Sequence, residues 1–491
     1  MTLTVDFAVV VVAEVDVRRE PSAGVVGSAR FTLIMPITIE TQDIDTIVAA
    51  QRDFFQRGET RSMAFRLAVL KRFEDELVRS QGSLLAALAE DLGKPETEAF
   101  VSEYFFLLEE ARLLRKKLSR WAKPQKVGTP MYFLPGRSEI HRDPFGVVLV
   151  IAPWNYPVQL ALSPVMTAVA AGNTVVLKPS EISTAAEAWL VDFVGRCFDP
   201  EVVSVVTGDA EVSSALLDQP FDFIFFTGST KVGRVVAEKA AKQLIPTVLE
   251  LGGKCPCVID ATVDMDVAAK RLLAGKFFNG GQTCFAPDFV AVDESVKEKF
   301  VAACECVFAE VPWNEGMAHA VNEKSFERWK SLVSGRAIRQ GEDDAGEWKL
   351  APTILPDAEW DDAAMSEEVF GPILPVVRFS DTNELMRNLR GYGAPLAMYV
   401  FSTDKDFIGQ MIEAIPSGGV CVNDTMKQSS NLKLPFGGVG ESGHGRYRGE
   451  YGFRAFTYER AVVRRSLWKF DPFAMLPPYA DKLKWLRKVM K

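Results

Sequence analysis

Between Val147 and Phe401, short wholly apolar runs alternate with longer segments whose apolar residues fall at helical spacing, and this alternation constrains the fold more than any other feature. Val147 to Ala152, Thr174 to Leu177, Val202 to Val206 and Phe223 to Phe226 are the first four runs. A strand with one wet face alternates apolar and polar residues; runs as uniform as these suit strands buried on both faces, as in a parallel sheet covered by helices. The stretches between them, Gln159 to Ala171, Thr184 to Cys197, Glu211 to Leu217 and Lys231 to Gln243, supply the helices. The order strand, helix, strand, helix implies a doubly wound α/β sheet. A second alternation begins after Leu249, with strands predicted at Pro256 to Ile259, Phe289 to Val292, Ile373 to Phe379 and Leu396 to Phe401, and ends near Gly418-Gly419. Upstream, Asp43 to about Leu118 reads as amphipathic helices, with Ile44, Ile47, Val48 and then Phe65, Val69, Phe73, Leu77 on their apolar faces.

With 491 residues, 48% of them hydrophobic, the chain exceeds what one core usually organises, roughly 250–300 residues, so two or three domains are expected. A net charge of −9 argues against a nucleic-acid partner, which needs a concentrated basic face. Seven scattered cysteines are not a disulfide framework and suggest a reducing, cytoplasmic setting. Cys255-Pro-Cys257 and Cys304-Glu-Cys306 lack the two-residue spacer of zinc sites, and the histidines are only His141, His319 and His444, so no metal is expected. No run approaches the roughly 18 apolar residues of a membrane span, and no basic region precedes Phe7 to Ala13 as in a signal peptide. The first 34 residues fit no clear pattern: an added strand, a loose arm, or sequence ahead of a start at Met35.

Six segments carry candidate chemistry. Asn279-Gly280-Gly281-Gln282-Thr283-Cys284 follows a helix-like stretch, and its two glycines permit a tight turn that presents the thiol. A thiolate there is a nucleophile, and a structural cysteine is the equal alternative. Asn155, in Pro153-Trp154-Asn155-Tyr156-Pro157, lies past a strand's carboxyl end, where α/β proteins place ligands; its amide suits an oxyanion, or the segment is a rigid turn. Glu250 ends an apolar strand before Leu251-Gly252-Gly253-Lys254, a general base if partly buried, or an ion pair with Lys254. Phe226 to Gly233 joins strand to helix with glycines that admit a diphosphate at the helix N-terminus, yet it is neither a Walker loop nor G-x-G-x-x-G. Lys178 and Glu181 could hold ribose hydroxyls or form a surface pair. Glu368 and Phe370, before Gly371-Pro372, could position a nicotinamide or be a surface acid and a core ring.

In this order and spacing the segments closely resemble the aldehyde dehydrogenase superfamily over roughly Met35 to Val463. Leu434-Pro435-Phe436-Gly437-Gly438-Val439-Gly440-Glu441-Ser442-Gly443 and Leu476-Pro477-Pro478-Tyr479 are most similar to the class 3, fatty-aldehyde branch. The resemblance implies an α/β fold of two Rossmann-like domains with a small β arm for bridging and oligomerisation. Residues 35–248 would bind cofactor on a five-stranded sheet, interrupted by a bridging segment at about 124–143. Residues 249–418 would be catalytic, 419–465 the oligomerisation segment, and 466–491 an amphipathic tail, with no role for 1–34. By motif position Cys284 would be the nucleophile and Glu250 the general base, with Asn155 and the Cys284 N–H as oxyanion hole. Cofactor contacts would come from Trp154, Lys178, Ser180, Glu181, Thr227, Gly228, Ser229, Val232, Gly233, Leu251, Gly252, Glu368 and Phe370. Glu181 should repel a 2′-phosphate, so NAD is expected first and NADP tolerated.

The resemblance further implies a homodimer acting on a medium or long aliphatic or an aromatic aldehyde. A rival chemistry passes the thioester to coenzyme A, against which the retained Glu250 argues; a non-catalytic binding protein on the same fold is the rival of another kind. The tail mixes Trp468, Phe470, Phe473, Met475, Leu476 and Trp485 with Lys469, Lys482, Lys484, Arg487 and Lys488, which suits a dimer partner or a membrane surface and is too polar to span.

Overall fold

The computed structural model describes residues 41–468, 471, 473–477 and 479–489, so the expectations for 1–34 and for Lys469 and Phe470 lie outside the described residues. Every apolar run read as a strand is one. Val147–Ile151, Thr174–Lys178, Val203–Val205, Phe223–Thr227 and Thr247–Glu250 form five parallel strands. The chain starts in the centre, moves out through Thr174–Lys178 to Val203–Val205, then returns to the other side through Phe223–Thr227. Strand order thus reverses between Val147–Ile151 and Phe223–Thr227, leaving a crevice at their carboxyl ends. A two-residue strand, Gly443–His444, adds antiparallel to Thr247–Glu250 and makes the sheet six-stranded.

The second sheet has seven strands in the order Ile338–Arg339, Thr353–Leu355, Ile373–Phe379, Phe289–Asp293, Pro256–Ile259, Ala397–Phe401 and Gly419–Val422, parallel except for the first pair. Gly419–Val422 corrects the expected end of this block at Gly418-Gly419. Gly418 marks close packing, not a break: a Cβ on it would lie 2.3 Å from the Gly437 carbonyl and 2.5 Å from that of Leu396. Apart from Val203–Val205, the two-residue and three-residue strands were too short to register as apolar runs.

The remaining sheet is antiparallel, built from Gln125–Val127, Gly136–Pro144 and Thr457–Arg465. It joins the segment at about 124–143 to one more than three hundred residues later, and its exposed strands have the mixed composition that carries no periodic signal. Ahead of it run the helices Thr41–Arg57, Met63–Arg79, Gln81–Leu92 and Phe105–Trp121. Leu70, Phe73 and Leu77 form the buried stripe of the second, and the Phe73 ring meets Phe193 edge to face at 5.4 Å. Between the last two helices Phe100–Tyr104 is a π-helical turn, a local widening common at functional sites, and it turns Glu103 inward. The tail returns to the antiparallel arm: Asp471 pairs with Arg465 at 2.9 Å, and Phe473 meets Tyr132 at 6.3 Å and Trp485 at 5.0 Å.

Candidate active site

The helix Met265–Phe277 ends where three successive residues, Asn279, Gly280 and Gly281, take φ of 56°, 61° and 75°. Left-handed backbone is open to glycine and tolerated by asparagine, so the chain reverses there without a β-branched clash. At Gly281 a Cβ would sit 2.2 Å from the Gly371 carbonyl oxygen, leaving no room for a side chain. The buried Gln282 pins the reversal, donating to the His319 carbonyl at 2.8 Å and accepting from the Val321 N–H at 3.3 Å. Tyr156 and Thr283 share a hydroxyl hydrogen bond of 2.6 Å. Cys284 then emerges, partly exposed, into a cavity of about 600 Å³ that Glu250 also lines.

Asn155 is buried against this loop. Its Nδ2 donates to the Gln282 carbonyl at 3.0 Å, while its own carbonyl accepts from Asn279 Nδ2 at 2.9 Å and Lys94 Nζ at 3.2 Å. Lys94 forms a fully buried ion pair with Glu103, whose other oxygen accepts from the Val158 and Gln159 N–H groups at 2.9 and 3.1 Å. One ion pair therefore ties the N-terminal helices to the Asn155 turn and to the start of the helix Gln159–Ala171. Glu98 accepts from the Asn279 N–H at 2.9 Å, and burial lifts its carboxyl to about 7.

Glu250 is 2% exposed, and neither carboxylate oxygen has a hydrogen-bond partner. Burial pushes its pKa well above the ordinary carboxylate value, and the Arg448 and Arg446 guanidinium groups draw it part of the way back. The sequence alternative, an ion pair with Lys254, is excluded: Lys254 is engaged by Asp288 and by the carbonyls of Ala364 and Glu367 at 2.8 and 2.9 Å. Burial likewise raises the Cys284 thiol, with Glu368 and Glu250 adding to the rise and Arg448 opposing it.

The remaining sequence candidates gather at the crevice. Lys178, buried at the end of its strand, donates to Glu181 at 3.0 Å; Ser180 beside it accepts from the Ile182 N–H at 3.3 Å. Ser229 caps the helix Thr230–Lys242, accepting from Val232 N–H at 3.3 Å, and the Val232 side chain stands exposed. A Cβ on Gly233 would fall 2.4 Å from a Leu251 methyl, so glycine lets that helix press onto the strand end. Gly252 lies beneath Glu368, where a Cβ would meet Oε2 at 2.2 Å; burial and Asp288 raise that carboxyl to about 8. Phe370, at φ 47°, meets Trp154 edge to face at 5.5 Å. Gly228 donates to the Glu250 carbonyl at 3.0 Å, and Thr227 lines the Cys284 cavity with its hydroxyl buried and unpartnered.

This set fits an elongated dinucleotide. A cation and a carboxylate stand at one end, bare glycines and a helix N-terminus in the middle, and an acid with two aromatic rings near Cys284 at the other. Among the described residues no three His, Cys, Asp or Glu side chains cluster as metal ligands. Sequence reasoning missed Lys94, Glu98, Glu103, Tyr156 and Arg448. Charged residues ordinarily read as surface, and only their partners across the fold reveal these as interior.

A crevice at a strand-order reversal, faced by a thiol loop from a second parallel sheet, places the chain among the dinucleotide-dependent α/β enzymes. Residues 35–462 match the aldehyde dehydrogenase family. The chain is 41% identical over 439 residues to aldehyde dehydrogenase family 3 member B1 of Rattus norvegicus, covering 88% of this chain and 94% of that one. It is 37% identical over 446 residues to 4,4'-diaponeurosporen-aldehyde dehydrogenase of Staphylococcus aureus, covering 89% and 97%. The substrate-bound structure of Staphylococcus aureus AldH superposes with a TM-score of 0.89 at 36% identity, over 91% of this chain and 99% of that one. Two more distant structures carry cofactor. One is glyceraldehyde-3-phosphate dehydrogenase from Bacillus halodurans with NADP (26% identity, TM-score 0.80, 87% and 92% covered), the other PnpE with NAD (25%, 0.80, 88% and 91%). The chain belongs to the aldehyde dehydrogenase family. It is an oxidoreductase that oxidises aldehydes with NAD(P).

Proposed function

We propose that the aldehyde is oxidised through a covalent thioester on Cys284, and that Glu250 activates the water that releases the acid. The observation that carries this reading is a carboxylate with no hydrogen-bond partner, buried in the wall of the cavity that receives the thiol. An unengaged base beside a nucleophile is costly to bury and useful only if a ligand uses it. The Cys284 thiolate adds to the carbonyl carbon, and the Asn155 amide with the Cys284 N–H stabilises the oxyanion of the adduct. One N–H of the Asn155 amide donates to the Gln282 carbonyl, which fixes the group and leaves its second N–H for the oxyanion. A nicotinamide ring, which Glu368 and Phe370 would hold, would supply the hydride acceptor, and the carbon left on Cys284 is then an acyl group. Glu250 takes a proton from water, the hydroxide attacks the thioester carbon, and the C–S bond breaks to return the thiolate.

NAD is the preferred cofactor and NADP a tolerated one. Glu181 is placed to accept ribose hydroxyls, and Lys178 offsets part of its repulsion toward a 2′-phosphate. The substrate is a medium or long aliphatic or an aromatic aldehyde: Val101, Phe106, Leu160, Phe278, Phe285 and Phe436 give the cavity an apolar lining. The Staphylococcus aureus relative, whose name specifies a diaponeurosporen aldehyde, supports a long apolar substrate. We assign cofactor binding to residues 35–248 and the thiol chemistry to the second sheet through Val422. The antiparallel arm would serve a cytoplasmic homodimer, and the exposed apolar residues of Met131–Phe133 and of the tail favour a protein partner for that face over a lipid one.

Reduced-nicotinamide absorbance with NAD or NADP against acetaldehyde, hexanal, decanal and benzaldehyde, with and without coenzyme A, tests this reading. Turnover independent of coenzyme A is expected; strict dependence on it would establish the acylating chemistry instead.

A further inference from the structure

Arg448 stands just before the helix Gly449–Ala455, in a conformation rare for a bulky residue, φ 88° and ψ 130°. It is 4% exposed, lines the cavity of Cys284 and Glu250, and among the described residues makes no ion pair. Its Nε and Nη1 are buried without a hydrogen-bond partner. The guanidinium is instead enclosed by rings, 4.2 Å from the centroid of Phe106, 4.8 Å from Tyr447 and 5.1 Å from Phe436. A buried cation is normally paired with an anion; this one is held by π faces that neutralise none of its charge.

Most of the neighbouring interior cations have partners, and the fully buried Lys276 feels the charges of Asp288 and Glu368. Lys94 is paired with Glu103, Lys254 with Asp288, and Arg446 donates to the carbonyls of Gly438 and Gly445. Lys270, Arg271 and Lys427 also line the cavity but are exposed, where water and salt screen them. The groups whose charge Arg448 influences are Cys284, Glu250, Tyr447 and Glu110. Glu110 is already occupied, accepting from Ser163 and from the Gly449 N–H.

We propose that Arg448 is the fixed counter-charge of the catalytic cavity, a positioning residue whose caged guanidinium eases formation of the Cys284 thiolate against the burial and the carboxylates that oppose it. Resting on Cys284 as the nucleophile, the assignment explains why a strained, buried cation is left unpaired. An anion placed against it would cancel the field it exerts across the cavity. The ring cage serves the same end by excluding the water that would screen it.

The test is the rate of Cys284 alkylation by iodoacetamide, a neutral reagent, between pH 6 and 11 in cofactor-free protein, with the modified peptide identified by mass. Arg448→Met removes the charge while filling the cage, and Arg448→Gln serves as a second charge-free variant should the first not fold. Both are expected to slow alkylation about tenfold at pH 7 and to move its midpoint to higher pH, while Arg448→Lys stays near the parent. An unmoved midpoint, or a lysine variant displaced as far as the methionine one, overturns the proposal. A second arm compares kcat/KM for hexanal and for an aldehyde bearing a terminal carboxylate. Equal losses on both are expected; a loss confined to the carboxylate substrate overturns it by making Arg448 a substrate anchor. Turnover that survives complete Cys284 alkylation would instead sink the nucleophile assignment, leaving the comparison among Arg448 variants readable.

Discussion

Burial sets the two carboxylates that flank the thiol loop apart from surface acids, and their pH dependence follows. In its proposed role as general base, Glu250 must be ionised to take a proton from water. Because burial raises its pKa, deacylation should fall as pH drops through a value above the ordinary ~4.3 of a glutamate; single-turnover decay of the acyl enzyme against pH measures it. Glu98 acts on stability. Its folded pKa of about 7 exceeds its ordinary 4.5, so the folded state holds the extra proton between those values. Stability from this group is whole below pH 4.5 and is lost as pH rises through about 7, on the order of 3 kcal/mol in all. Glu98→Gln should therefore flatten the fall in melting temperature between pH 5 and 8. At the oxyanion position, Asn155→Ala should lower kcat by roughly 10²–10³ with cofactor affinity little changed. These positions differed in how far they could be read beforehand. Cys284, Glu250 and Asn155 lie in short local motifs, whereas the interior placement of Glu98 and Arg448 depends on contacts with residues far away in the chain, Asn279 and Phe106.

The thiol loop and the π-helical turn are the elements on which the site depends. Gly281→Ala would drive a methyl into the Gly371 carbonyl at a left-handed φ, so the loop must shift; kcat should collapse and the melting temperature should also fall, by the few degrees that about 1–3 kcal/mol of overpacking gives. The Lys94–Glu103 pair bridges the π-turn, the Asn155 turn and a helix N-terminus. Lys94→Ala leaves Glu103 buried without its cation, and a loss of about 3–5 kcal/mol in denaturant unfolding is expected. The buried strands and their covering helices were legible because wholly apolar runs and helical spacing are strong local signals. Gly419–Val422 was misassigned because a glycine pair at its start, of which Gly418 is closely packed, resembles a turn, and the π-turn was invisible because one extra residue per turn leaves no mark in a four- to five-residue window.

At the scale of the molecule, two mainly parallel sheets supply the site, with the proposed cofactor residues at the carboxyl ends of one and the thiol loop ahead of a strand of the other. The antiparallel arm and the tail that folds back onto it leave Met131, Leu134, Met475 and Leu476 exposed. A homodimer would cover this face, so sedimentation should give about twice the 54.3 kDa of the chain, and removal of residues 466–491 should weaken association without promoting liposome flotation. Cofactor preference also belongs here, since Glu181→Gln should raise kcat/KM for NADP relative to NAD by lifting repulsion at a site remote from the chemistry. The measurement that bears most directly on the central claim is rapid quench of Glu250→Gln with NAD and hexanal, read by nicotinamide absorbance and by mass of the Cys284 peptide. A burst of one reduced nicotinamide per active site, with an acyl group on Cys284 that persists, is the predicted result. An unmodified Cys284 after the burst, or steady turnover in Cys284→Ala, would contradict it.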